Sequence, residues 1–212
     1  MIKKTFPIFF VALSLAFSSA NYSFAAEKKM TIKEYIAQAN TGSPYAAFRT
    51  GLAYEYGVGG LTKDRAKAIY YYKIADRNGN IKAASKLGGL YLNNGYSKDA
   101  LPYLLKAVKA GDPLGQAYLG KWLENDKKIT SSIKMYEASS KSKNPLGQFY
   151  YGSYLVKNNQ KNKQSEDFLK GYALLALSAQ KNEEAKNFLT LSKEKFTVEQ
   201  KQVIAKYINE YK

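Results

Sequence analysis

Serine followed three residues later by lysine places a hydroxyl nucleophile one helical turn from an amine base. That spacing occurs at Ser131–Lys134, Ser140–Lys143, Ser178–Lys181 and Ser192–Lys195. Neither Ser-Asp-Asn nor Lys-Thr-Gly accompanies any of them, and with 33 Lys and Arg in 212 residues such matches arise by chance. The adjacent acids Glu166-Asp167 and Glu183-Glu184 are the pairs that could protonate a glycosidic bond. Both open predicted helices, where carboxylates meet the helix dipole, so a structural role accounts for them. Histidine and cysteine are absent, which removes the commonest general base, the thiol nucleophile and the usual zinc ligands. No Asp-rich loop offers a calcium site, so no metal or cofactor is expected. Gly57 to Gly60 lacks a following Lys-Ser/Thr and does not follow a strand, so it is no phosphate cradle. The expectation is a protein without catalytic residues, the alternative being a weak hydrolase of cell wall or β-lactam working through Ser and Lys.

The elements that hold these residues begin after an export signal. Lys3 and Lys4 precede an apolar run from Phe6 to Phe17, too short to span a bilayer, and Ser23 with Ala25 form an A-x-A-like cleavage site. Residues 1–25 are therefore read as a cleavable signal peptide, leaving a chain with no transmembrane segment and a periplasmic or secreted location. The formal charge is +16, and loss of Lys3 and Lys4 leaves +14. Such an excess attracts acidic proteins, anionic polymers or membrane surfaces, while export makes nucleic acid an unlikely ligand.

The remainder is periodic. Gly51, Gly88, Gly120 and Gly152 lie 37, 32 and 32 residues apart. Five residues before each stands a small residue, Ala46, Ala83, Gly115 and Gly147, and three after each a large one, Tyr54, Tyr91, Leu123 and Leu155. Glycine inside a helix costs roughly 1 kcal/mol against alanine. Accepting that cost at one phase in every copy points to close helix packing. A second helix follows each: Ala68, Tyr71, Tyr72 and Ala75 keep helical spacing before Gly79, and Asp99 is expected to cap a helix carrying Tyr103 and Leu104, with Pro102 in its first turn. The third runs from about Ile129, and the fourth carries the apolar stretch Tyr172 to Ala179. Thr31 with Glu34 and Thr197 with Gln200 read as helix starts for terminal caps. No strand pattern competes, so the fold is all-α. The expected layout is a cap helix over 26–43, repeats over 44–79, 80–111, 112–144 and 145–181, and capping helices over 182–212.

The first repeat, with Gly57-Val58-Gly59-Gly60, Lys63-Asp64, Lys67-Ala68, Tyr70-Tyr71-Tyr72-Lys73, Ala75 and Gly79, closely resembles the Sel1-like repeat, a relative of the tetratricopeptide repeat with a longer glycine-containing loop. Later copies match less fully, and their loops are read as shorter. Tyr172 to Ala205 is similar to the end of many bacterial Sel1-like proteins. The resemblance implies a right-handed superhelical solenoid, and a scaffold or adaptor holding a protein partner on its concave face in an envelope or host-interaction process. One exported branch of the family is penicillin-binding or weakly β-lactamase-like, but that branch is rich in disulfides and this chain has no cysteine.

If the first helix of each repeat lines the inner curve, Arg49, Lys86, Tyr118 and Tyr150 share one inward column, two residues before each glycine. Leu90, Trp122 and Tyr154 share another with Ala53, two after it. Aromatic and arginine side chains dominate binding hot spots, which makes these the expected partner-binding residues. The alternative function, binding of an anionic polymer or membrane surface, rests on the charge.

Overall fold

Side-chain oxygens start most helices of this chain. In the computed structural model, which describes residues 30–192 and 194–212, Ser43, Asn80, Asp112 and Asn144 each accept a hydrogen bond from the backbone N–H three residues on. Proline follows at 44, 113 and 145, where its missing N–H costs nothing. These caps open α2 (Pro44–Tyr56), α4 (Ile81–Asn93), α6 (Pro113–Asn125) and α8 (Pro145–Asn158). Each pairs with the helix after it: α3 (Arg65–Arg77), α5 (Ser97–Lys109), α7 (Ile129–Lys141) and α9 (Glu166–Ser178). Ahead of them lies α1 (Ile32–Asn40), opened by a full Thr31/Glu34 capping box. Behind them come α10 (Glu183–Ser192) and α11 (Val198–Tyr211), the latter with a Thr197/Gln200 box. All regular structure among the described residues is helical, as the sequence periodicity requires. No described helix is long and apolar enough to cross a membrane. The expected signal peptide lies outside the described residues.

The repeat glycines explain how each pair closes. A β-carbon at Gly51 would sit 2.6 Å from the Tyr72 ring and one at Gly120 2.5 Å from the Tyr136 ring. At Gly88 it would strike Leu104, and at Gly152 it would lie 2.8 Å from the Gly171 carbonyl oxygen. In two copies the earlier small residue faces the other way: Gly115 meets Ala107 and Gly147 meets Ser139, each on the preceding repeat. Each of these two helices thus packs on its own partner with one face and on the preceding repeat with another, joining neighbouring pairs. Direct packing runs from α4 to α6 and from α6 to α8, with no comparable contact between successive second helices. The glycine-bearing helices of the last three repeats thus form one packed row, the side that the resemblance implies is concave.

Two local expectations are corrected. Helix α5 starts at Ser97, with Tyr96 at the cap position and no side-chain cap, so Asp99 sits inside the first turn and Pro102 lies within the helix rather than in its first turn. The cause is the tight Asn94-Gly95-Tyr96 turn: Gly95 adopts φ 81° and reverses the chain in three residues, so the helix begins earlier. The inter-helix loop of the fourth repeat, 159–165, is nearly as long as the first repeat's 57–64, whereas 94–96 and 126–128 are short.

Candidate functional site

The inward columns divide into two polar groups and several packed residues. Arg49 is exposed on α2, its guanidinium 5.6 Å from the Tyr35 ring. Lys86 is half-buried on α4 and held on two sides, 3.0 Å from a Glu55 carboxylate oxygen and 2.7 Å from the Tyr56 hydroxyl. Burial opposes its charge, but the Tyr56 hydrogen bond and the Glu55 carboxylate outweigh that, so its pKa lies above the ordinary lysine value. The Tyr72 hydroxyl donates to the other Glu55 oxygen. Tyr118 lies against Gly89, whose missing side chain leaves room for the ring. Leu90 packs on the core of the first repeat. Trp122 packs with Leu104 and Leu119, and its indole N–H donates to the Ser97 carbonyl at 2.9 Å.

Tyr150 and Tyr154 belong to the second group. They line a hollow of about 420 Å³ together with Lys121 and Glu124 from α6, Ser153 and Lys157 from α8, and Glu184 from α10. The Tyr136 ring packs 5.1 Å from the Tyr150 ring, and its hydroxyl donates to Glu124 at 3.0 Å. Lys121 reaches the same carboxylate oxygen at 2.7 Å. Burial raises the Glu124 pKa, but the Lys121 hydrogen bond and charge, with the Tyr136 hydroxyl, hold it below the usual carboxylate value. Lys157 and Glu184 make no ion pair among the described residues, and the Ser153 hydroxyl is buried without a hydrogen-bond partner.

Glu55, Lys121, Glu124, Ser153, Lys157 and Glu184 were not singled out as binding residues from sequence. A signal for two of them exists: four residues after each repeat glycine come Glu55, Leu92, Glu124 and Val156, acid alternating with hydrocarbon. The second helices answer in phase, with Tyr72, Leu104, Tyr136 and Leu175 against the glycines. Glu184 belongs to an acid pair attributed to the helix dipole. It does stand in the first turn of α10, and it also borders the hollow.

Of the Ser-x-x-Lys serines, Ser178 donates to the Pro145 carbonyl at 2.6 Å and Ser192 to the Leu189 carbonyl at 2.9 Å. Ser140 is buried and Ser131 exposed. No described group of three His, Cys, Asp or Glu side chains converges as metal ligands would.

No family model matches the chain. It is 36% identical over 100 residues to the ERAD-associated E3 ubiquitin-protein ligase component HRD3B of Arabidopsis thaliana, covering 44% of this chain and 15% of that protein. It is 29% identical over 121 residues to chitin synthase regulatory factor 1 of Schizosaccharomyces pombe, covering 54% of this chain and 26% of that protein. The chain thus spans a minor part of both curated relatives. Three solved structures align over 85% of the chain. The c5321 protective antigen of uropathogenic Escherichia coli, which displays an SLR fold, does so with TM-score 0.64 and 19% identity over 41% of its own length. A Sel1 repeat protein from Oxalobacter formigenes gives 0.60 and 20% over 75%, and the immunity protein Pa5087 from Pseudomonas aeruginosa 0.54 and 20% over 72%. The chain has the solenoid fold of Sel1-like repeat proteins.

Proposed function

We propose that the protein is an exported, periplasmic or secreted adaptor that binds a protein partner on its concave face, serving a bacterial envelope or host-interaction process. Proteins of this fold generally mediate protein–protein contact. The carrying observation is the hollow between α6, α8 and α10. Two tyrosines of α8 stand there beside a lysine and a glutamate that make no ion pair among the described residues. Rings with few rotatable bonds and charges awaiting a counterpart are what a binding hot spot needs. Lys86 and Trp122 already have polar partners within the chain, so the anchor falls to Tyr150 and Tyr154 at the hollow. The names of similar proteins support a non-catalytic role: one is a ligase component, another a regulatory factor, and two others an antigen and an immunity protein.

Tyr150→Ala, Tyr154→Ala and Lys157→Glu test this in capture from native envelope extract, with circular dichroism as the folding check. Each should lower recovery of the same captured protein by about tenfold or more, the scale of a hot-spot loss. Equal recovery by all three folded variants would overturn the assignment. Arg49→Ala then tells whether the face extends to the first repeat.

A further inference from the structure

The turns into α2, α4, α6 and α8 repeat a single backbone solution, and one of them departs in residue type. The residue before the N-cap is Gly42, Gly79 and Gly111 in three of these turns, with φ of 93°, 90° and 75°. In the turn between α7 and α8 that residue is Lys143, and it keeps the left-handed conformation at φ 59°. Glycine adopts this region freely, whereas a β-carbon there is strained. Crowding does not select glycine, since a β-carbon at Gly42, Gly79 or Gly111 would meet nothing within 4 Å. The exception places a charged side chain where the other three turns have none.

Lys143 borders a hollow of about 260 Å³ with Lys181 and Lys212. Lys181 precedes Asn182, which caps α10 as Asn144 caps α8, so in both turns the residue before the cap is an exposed lysine bordering this hollow. Gln148 and Tyr211 form the wall, fixed to each other by a 3.1 Å bond from the Gln148 amide to the Tyr211 carbonyl. No carboxylate side chain lines the hollow, and none of the three lysines makes an ion pair among the described residues. The three lysine side chains therefore leave a positive surplus along the hollow. Like charges gathered without a counter-ion repel one another, and an anion between them relieves the repulsion.

We propose that this hollow binds a phosphate group, either as the free ion or as a phosphate monoester headgroup. A dianion matches the surplus, its tetrahedral oxygens can accept from several ammonium groups at once, and the volume admits it with room for an attached chain. The site lies at the edge of the stack, in the turns between repeats and apart from the tyrosine-lined hollow. It does not rest on the protein-partner reading, and either can fail alone.

The test follows the melting temperature of the protein against inorganic phosphate, with sodium chloride at matched ionic strength as reference. A ligand that binds only the folded state raises the melting temperature with its concentration. Phosphate is expected to raise it beyond chloride. Lys143→Gly should melt a few degrees higher than wild type without phosphate, because strain is relieved, and should lose most of the phosphate response. Lys127, also left-handed at φ 60° but outside the hollow, is the control. Lys127→Gly should gain the same stability and keep the full response. Equal effects of phosphate and chloride on wild type, or an undiminished response in Lys143→Gly, would overturn the proposal. Vesicles of phosphatidylcholine with one-fifth phosphatidic acid separate the sources. Sedimentation of wild type but not Lys143→Gly with them assigns the lipid headgroup, and its absence beside a retained phosphate response assigns the free ion.

Discussion

Repeats one and three close their helix pairs with a hydroxyl and a carboxylate, whereas repeats two and four close theirs with hydrocarbon. Tyr72 meets Glu55 and Tyr136 meets Glu124, while Leu104 stands beside Leu92 and Leu175 beside Val156. The glycine in front is the same in all four, so the backbone tolerates either solution. The polar solution fixes an acid near the concave surface, and that acid fixes a lysine: Lys86 on Glu55 and Lys121 on Glu124. Two of the charges on this face, Lys86 and Lys121, are therefore placed through the core. The apolar solution fixes no acid at that position, and the charges of repeat four, such as Lys157, come from other positions of its helices.

Substitutions that break the contrast should rank by how far the neighbour can yield. Gly152→Val should be the most damaging, because its β-carbon meets the Gly171 carbonyl of the facing backbone, which cannot rotate away. A loss of about 3 kcal/mol in urea denaturation is expected, at the upper end of overpacking penalties. Gly120→Ala faces the Tyr136 ring, which can shift, and should cost less. Next comes Leu104→Tyr, which brings the polar solution to repeat two without its acceptor. An unpartnered buried hydroxyl against Leu92 should cost about 2 kcal/mol, and Leu92→Glu added to it should recover part of that.

Tyr136→Phe should cost about 1–2 kcal/mol, since it removes a hydrogen bond to a charged group. The same change at Tyr72 should cost more, because Glu55 is 18% exposed against 40% for Glu124. Equal costs in the two repeats would remove the argument that burial of the acid matters. The smallest effect is a pH dependence. With its pKa lowered in the folded state, Glu124 contributes stability that is complete above its ordinary value of 4.5 and is lost as pH falls below it toward the folded value. Glu124→Gln should flatten the acid limb of the stability curve and leave the neutral-to-alkaline side unchanged in shape.

Much of the fold was legible in the sequence because its signals are local and periodic. The glycines recur at one phase, and Thr31 and Thr197 open capping boxes with the residues three ahead of them. Asp99 misled because an acid in a first turn and an acid at a cap look alike in sequence. What separates them is the φ of Gly95, a backbone property. The inward columns were legible as a phase but not as a role. Trp122 shares its column with Tyr154, yet one satisfies its N–H on the Ser97 carbonyl while the other borders a hollow, and that depends on which residues the neighbouring helices bring. Glu184 reaches the same hollow from a different element, a long-range contact that no spacing encodes.

The central claim is that recognition sits on the concave side of the last repeats. A photo-crosslinking residue placed at Tyr154 and, separately, at the exposed Tyr70 of α3 tests it in the native cell. The account predicts a discrete crosslinked partner from position 154, lost when Lys157→Glu is added, and no such product from position 70. The same partner captured from position 70, or capture at 154 that ignores Lys157→Glu, would contradict it.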